Sequence, residues 1–358
     1  MGKQSARIRL NGKDHKEIRI NGKYHKLADR DSNVLWEKIA EEPIVYDGFK
    51  ISTSVPAYRY HSCAFYIAGN FTVDWGDGTV EEKTISELTL VTHTYPYQKT
   101  ATIYTAIFDG NITDMSFEAC EHMYEILTPL PPSLSKKTDF SSMFAYIDTG
   151  LRIPNDLFKY CTNAQNFDSC FYSSVMHDSE GKGAIPEGLF KYNNQVISFL
   201  NCFANSNFVV IPDGLFKNKT LVTDFGNCFY GMPATKIPAD LFENCVSAKS
   251  LAGCFSFGKY YEIPEGLFDD MPYLESARQC FMNCTSIQSV PYELFDNNDN
   301  LEDVYRAFYN CKSITSKIPP LWEREWEDVT KYKGCYYNCG TPENGADVPS
   351  FYWRDMEA

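Results

Sequence analysis

The sequence has no run of about eighteen apolar residues, so no segment reads as a membrane-crossing helix. The opening MGKQSARIRL is not followed by the apolar stretch of a secretory signal, and synthesis and folding in the cytoplasm are expected. Ala6 stands where a myristoylation signal would have Ser or Thr. Positive charge is in deficit: the net charge of −14 argues against a nucleic-acid partner. Histidine is scarce. His15, His25, His61, His93, His122 and His177 are scattered, and none stands with Cys or Ser in a known catalytic arrangement. A Gly-x-Ser-x-Gly elbow, a P-loop, a dinucleotide fingerprint and a His-Glu-x-x-His helix are all missing. These absences point to a chain that is not an enzyme, uses no cofactor and inserts in no membrane.

A repeat is present instead, and repeats are read first because they decide the architecture. Ile-Pro followed by Leu-Phe recurs at Ile153-Pro154 with Leu157-Phe158, then at Ile185, Ile211, Ile237 and Ile263, with Val290-Pro291 as a close variant. Leu130-Pro131 and Ile318-Pro319 are degenerate outer copies. A second column of aromatics runs between them: Phe117, Phe144, Phe171, Phe203, Phe229, Phe255, Phe281, Phe308 and Tyr336, at steps of 26 to 28 residues except for one of 32. The long step holds a polar insertion at His177–Lys182. A copy of this size cannot bury its own apolar face, but stacked copies share a core of like residues. Proline geometry makes each Ile-Pro step extended, so a short strand is expected before it. A turn or short helix is expected after Leu-Phe, where apolar residues fall three or four apart. Carboxylates after the proline, such as Glu187 and Asp213, follow the repeat and read as solvated turn residues, not as a glycosidase pair.

Twelve of the thirteen cysteines obey the same register. Cys170, Cys202, Cys228, Cys254, Cys280 and Cys335 precede the aromatic column, while Cys120, Cys161, Cys245, Cys284, Cys311 and Cys339 follow an aromatic by three. Met143 or Ala307 replaces Cys in the first set, as expected of a compact buried apolar residue and not of half a disulfide. Cys280/Cys284 and Cys335/Cys339 are four apart, but without tight pairs or nearby His a zinc site is not expected. Reduced thiols fit a cytoplasmic folding environment.

The segments Phe281-Met282-Asn283-Cys284-Thr285-Ser286-Ile287 and Phe308-Tyr309-Asn310-Cys311-Lys312-Ser313-Ile314 resemble the BspA-like leucine-rich repeats of surface proteins and adhesins. The resemblance covers residues 112–340 and implies a leucine-rich-repeat-type solenoid, with no fixed ligand. Upstream, Asp74-Trp75-Gly76-Asp77-Gly78-Thr79 followed by Thr92-His93-Thr94-Tyr95 is similar to the marks of a PKD-type immunoglobulin-like domain, which implies a β-sandwich over 44–111. Asp109-Gly110-Asn111 reads as the turn out of it. Trp75 reads as a core anchor, and Asp74 and Asp77 as acceptors for turn amides in preference to calcium ligands.

The first thirty residues differ from the rest: nine Lys or Arg against three acids give +6, which leaves −20 for the remainder. RIRLNGKDHK (7–16) and EIRINGKYHK (17–26) are tandem strand–Asn-Gly units, a hairpin signal. Together with Val34-Leu35-Trp36-Glu37-Lys38, they resemble the starts of phage tail and other virion proteins. The expected fold is mainly β with short helices: N-terminal β-hairpins (1–43), a PKD-like sandwich (44–111), a repeat solenoid (112–340) and a C-terminal cap or tail (341–358).

Two sets of site residues are expected. Arg7, Arg9, Lys13, Arg19 and Lys23 would attach the chain to other virion proteins. Trp322, Trp326, Tyr332, Tyr337, Tyr352 and Trp353 would either bind a ligand or cap the stack. The implied function is a structural virion protein, from tail, baseplate or capsid surface. Its repeats would recognise a host surface protein or glycan, and it would be a homo-oligomer within an assembly. A bacterial surface or secreted adhesin and a purely architectural virion component are the alternatives.

Overall fold

The structure is a computed structural model and describes residues 17–20, 23–27, 36–38, 47–58, 60–118, 122–326 and 328–354. The chain is mainly β. It has ten strands, five short 3-10 helices and no α-helix among the described residues. It divides into two compact units, Met1–Asp47 and Gly48–Ala358.

In the first unit, β1 (Glu17–Ile20), β2 (Lys23–Leu27) and β3 (Trp36–Lys38) form an antiparallel sheet in the order β1-β2-β3. The register Ile20↔Lys23 pairs β1 with β2, and Leu27↔Trp36 adds the third strand. The first tandem unit, 7–16, lies outside the described residues.

The second unit begins with β4 (Phe49–Val55), β5 (His61–Asp74), β6 (Val80–Tyr95), β7 (Thr102–Ser116) and β8 (Met123–Ile126), followed by β9 (Leu151–Ile153) and β10 (Met176–Asp178). The strands expected to form a two-sheet sandwich are hydrogen-bonded into one mixed sheet, in the order β10-β9-β8-β4-β7-β5-β6. The register of β5 shifts at Ile67/Gly69 against β6 and at Ala68/Gly69 against β7, a bulge that bends long strands without breaking them. Asp109-Gly110-Asn111 is not a turn. It lies inside β7, where Gly110 pairs with Phe71 at φ +130° and a Cβ would meet the Asn70 carbonyl at 2.6 Å. Pairing with β5 overrides the local turn signal there. Parallel pairs β8/β9 and β9/β10 carry the sheet into the repeats.

Within the repeats, equivalent residues of successive copies lie side by side. Parallel bridges join Asp139–Asn166–Ser198–Asp224–Ser250–Ser276–Asp303, one residue per copy. A second set falls just before Ile-Pro, as in Ala184↔Val210 and Glu262↔Ser289. The short strand expected at each Ile-Pro is therefore in most copies a single bridge, and the segments after Leu-Phe are turns, not helices.

The linking pattern is regular. Phe140, Ser142, Phe144 and Tyr146 donate their amides to Asn166, Asp168, Cys170 and Tyr172 of the next copy at 2.8–3.0 Å. The residues between them turn back within the copy: Met143 donates to Phe140 and Ala145 to Ser142. Such alternation requires left-handed backbone on both sides of the aromatic. Ser142, Ser169, Asn201, Asn227, Gln279 and Arg306 have φ between +50° and +56°. Asn205, Asn283, Asn310 and Asn338 take φ of +55° to +63° two residues after the aromatic. Asn tolerates this region better than most residues because its short amide bonds locally.

The core is a set of stacked rings. In the column from Phe117 to Tyr336, neighbouring centroids are 5.0–5.8 Å apart with interplanar angles of 3–15°. Phe158, Phe190, Phe216, Phe242, Phe268 and Phe295 form a second column, and Phe140, Phe167, Phe199 and Phe225 a third. Leu251, Ala277 and Val304, all buried, continue the third column where rings stop. Phe255→Ala, in mid-column with no exposed surface, is expected to cost about 3–5 kcal/mol in urea unfolding; a loss under about 1 kcal/mol would show that the column is not packed as described.

Candidate functional site

The thiols are the most repeated polar groups in the core. The described cysteines are all free and buried. Those three residues after an aromatic do more than fill space. Cys245, Cys284, Cys311 and Cys339 donate Sγ–H to the carbonyls of Phe216, Phe255, Phe281 and Phe308 in the preceding copy at 2.5–3.2 Å. At the position of Cys245, other copies use stronger donors for the equivalent carbonyl. Asn193 binds the Phe158 and Cys161 oxygens, Asn298 binds those of Phe268 and Met271, and Arg324 binds those of Phe295 and Asn298. Sequence reading took these cysteines as small hydrophobes; the Asn and Arg sharing the column of Cys245 were the signal for a donor there.

The Trp-Gly-Asp-Gly and His-Thr-Tyr marks meet in one structural cluster. Asp74 accepts from Gly76 N and Asp77 from Thr79 N, each at 2.9 Å, so both acids bond turn amides. His93 stacks on buried Trp75 with centroids 4.4 Å apart and meets Asp77 through Nε2 at 2.8 Å. Trp75 Nε1 donates to Glu81 at 3.0 Å. Burial raises the Asp77 pKa, but the hydrogen bonds from His93 and Thr79 more than offset it and hold the carboxyl below its ordinary value. His61 and His122, far apart in sequence, have ring centroids 4.0 Å apart, and burial followed by the charge of His122 lowers the His61 pKa. Among the described residues there is no group of three or more His, Cys, Asp and Glu that could hold a metal ion, and no helix long and apolar enough to cross a membrane.

Five of the six C-terminal aromatics gather at the end of the stack. Tyr332 stacks on buried Tyr352 at 4.9 Å, and Trp326 lies 5.9 Å from Tyr332. Trp322 and Trp353 approach Tyr336 at 6.3 and 6.4 Å. Polar tips are used inward: Trp326 Nε1 and Tyr352 OH both donate to the Leu321 carbonyl. Tyr336 N donates to the Tyr352 carbonyl at 2.9 Å, so residue 352 stands where another copy of the repeat would. Tyr337 is apart, paired with Tyr309 at 4.9 Å. Of the N-terminal basic residues, Arg19 lies in β1 and Lys23 in β2, while Arg7, Arg9 and Lys13 lie outside the described residues.

One surface feature was not read from the sequence. The residues flanking the buried aromatic column carry ring pairs along the stack, Tyr146/Tyr172, Tyr230/Phe257 and Tyr309/Tyr337, in which Tyr146 and Phe257 are exposed and the other four rings half-buried. Arg278, in the copy headed by Phe281, and Arg306, in the copy headed by Phe308, lie over Tyr305 at 4.1 and 5.0 Å.

Comparison with family models, with curated proteins and with solved structures returns no match for this chain.

Burial pushes the thiol pKa of Cys63 up to about 11 and those of Cys161, Cys245 and Cys284 up to about 12, against 9.0 when unburied. A raised acid pKa means that the unfolded chain releases protons first. The contribution to stability is thus fully present below about pH 9 and is lost as pH rises toward 12. In native protein at pH 8 the described cysteines are expected to resist a thiol reagent until unfolding, and stability is expected to fall steeply above pH 9; rapid labelling of these cysteines in the native state would contradict this burial. For the aromatic cluster, Tyr352→Ala is expected to cost about 3 kcal/mol in unfolding, as a cap requires, whereas a ligand platform would leave stability unchanged.

Proposed function

We propose that residues 112–340 form a leucine-rich-repeat-type solenoid of the BspA-like kind in a non-enzymatic virion structural protein. The basic N-terminal strands attach the chain to other virion proteins, and the repeats present a surface to a host protein or glycan. The observation that carries this reading is the parallel linkage of like residues from copy to copy, because a stack of that kind builds an extended surface of equivalent positions. The PKD-like segment then acts as a spacer between attachment and recognition.

The separate compact unit at the N-terminus supports the attachment role. A sheet of three short strands is marginal alone and gains stability by pairing with another body. The +6 of its first thirty residues, against −20 in the rest of the chain, suits an acidic partner. The cap role favoured for the C-terminal aromatics moves the recognition surface from the end of the stack to its side.

The test is electron cryo-microscopy of the native assembly, with a variant carrying Glu at positions 7, 9, 13, 19 and 23 in place of the basic residues. The account expects residues 1–40 to sit among other virion proteins with the repeats projecting outward, and expects the variant to be left out of purified particles. A chain found only as a free monomer without affinity for virion parts would sink the virion reading in favour of an adhesin. Repeats buried between subunits would make the role architectural.

A further inference from the structure

The ring pairs along the stack have a period of their own. Tyr146/Tyr172 sit on the copies headed by Phe144 and Phe171, Tyr230/Phe257 on those of Phe229 and Phe255, and Tyr309/Tyr337 on those of Phe308 and Tyr336. One copy without a ring, headed by Phe203 or Phe281, separates each pair from the next. The pairs thus recur every third copy, about 14 Å apart at the spacing of main-chain-paired segments. Within a pair the centroids are 4.9–5.5 Å apart.

Two of the rings occupy backbone that penalises them. Tyr146 and Phe257 have φ of +60° and +61°, in the column where other copies place Ser173, Asn205, Gly231, Asn283, Asn310 and Asn338. A bulky residue in this region is a genuine outlier. Both side chains are also exposed, at 54% and 44%. An amide or glycine serves the turn at this position elsewhere, and each ring gains only one ring neighbour, Tyr172 or Tyr230, so the choice of a strained, exposed ring points to a role beyond the turn. Between and beside them run side-chain amides in line: Asn338 donates to Asn310, and Asn310 to Asn283, each at 2.6 Å.

We propose that this strip binds an extended neutral polysaccharide laid along the axis of the stack. The proposal rests on the recognition reading above and names its ligand. The rings offer apolar faces and edges to the C–H groups of sugars, the amides and the guanidinium groups of Arg278 and Arg306 supply donors and acceptors for hydroxyls, and a periodic polymer suits a periodic strip. A polyanion is disfavoured by the net charge of −14 and by Asp303, 3.6 Å from Arg278. An extended peptide would need free main-chain groups, but along this edge they are spent on bonds between copies, as from Phe257 N to Met282 O and Asn310 N to Tyr337 O.

The test is affinity electrophoresis of the full chain through gels containing dextran, mannan or galactan, with dextran sulfate as the polyanion. At least one neutral polymer is expected to retard the chain. A Tyr146→Asn, Phe257→Asn double variant is expected to bind at least tenfold more weakly with an unchanged or higher melting temperature, because Asn relieves the backbone. Tyr273→Ser, an exposed tyrosine off the strip, is expected to bind as the unaltered chain does. Failure of all neutral polymers, retardation by dextran sulfate alone, or full binding by the double variant would overturn the proposal. Incorporation of the double variant into the native particle is scored separately, because its loss would count against the attachment reading and not against the strip.

Discussion

Everything in the repeats depends on how one copy grips the next. The grip is a main-chain amide from each aromatic of the column to the carbonyl just before the next aromatic, as from Phe229 N to Cys254 O and from Phe255 N to Cys280 O, both at 2.8 Å. Those bonds fix the register, and the register decides which side chains meet. With it, rings stack on rings and thiols reach carbonyls. A slip by one residue would put polar flanks into the core and expose the aromatics, a cost that summed over the stack no local preference could offset.

The sequence made the columns legible because burial leaves a compositional trace. Phe255, Phe281 and Phe308 recur at a fixed step, and the cysteines before them could be placed in the core by register alone. The Trp75–Asp77–His93 cluster was legible for another reason: its turn needs particular residues in order. What stayed hidden was backbone. Ser142, Gln279 and Arg306 do not advertise a positive φ, and only the frequency of Asn in the matching column hinted at it. Gly110 misled because a Gly-Asn pair marks turns in general, whereas here a close approach to β5 requires the glycine. Contacts between distant segments, such as His61 with His122, leave no local trace at all.

The candidate sites divide along the same line. The terminal aromatics were visible as a cluster, but whether they bind or seal depends on where their polar tips point, and Trp326 and Tyr352 point at the same inward carbonyl. The side strip was invisible because its rings are scattered among ordinary tyrosines. They stand out only once stacking places them on one edge and the backbone at Tyr146 and Phe257 marks them as misfits. Residues that cost the fold something are the better guide to function than residues that are merely abundant.

The central claim, that each copy is locked to the next through the amides of the aromatic column, is tested most directly by native-state hydrogen exchange. The account predicts that the amides of Phe144, Phe171, Phe203, Phe229, Phe255, Phe281 and Phe308 are strongly and similarly protected, and that they open together with neighbouring copies. Exchange at these seven positions as fast as in the exposed turn at Glu180 would contradict it.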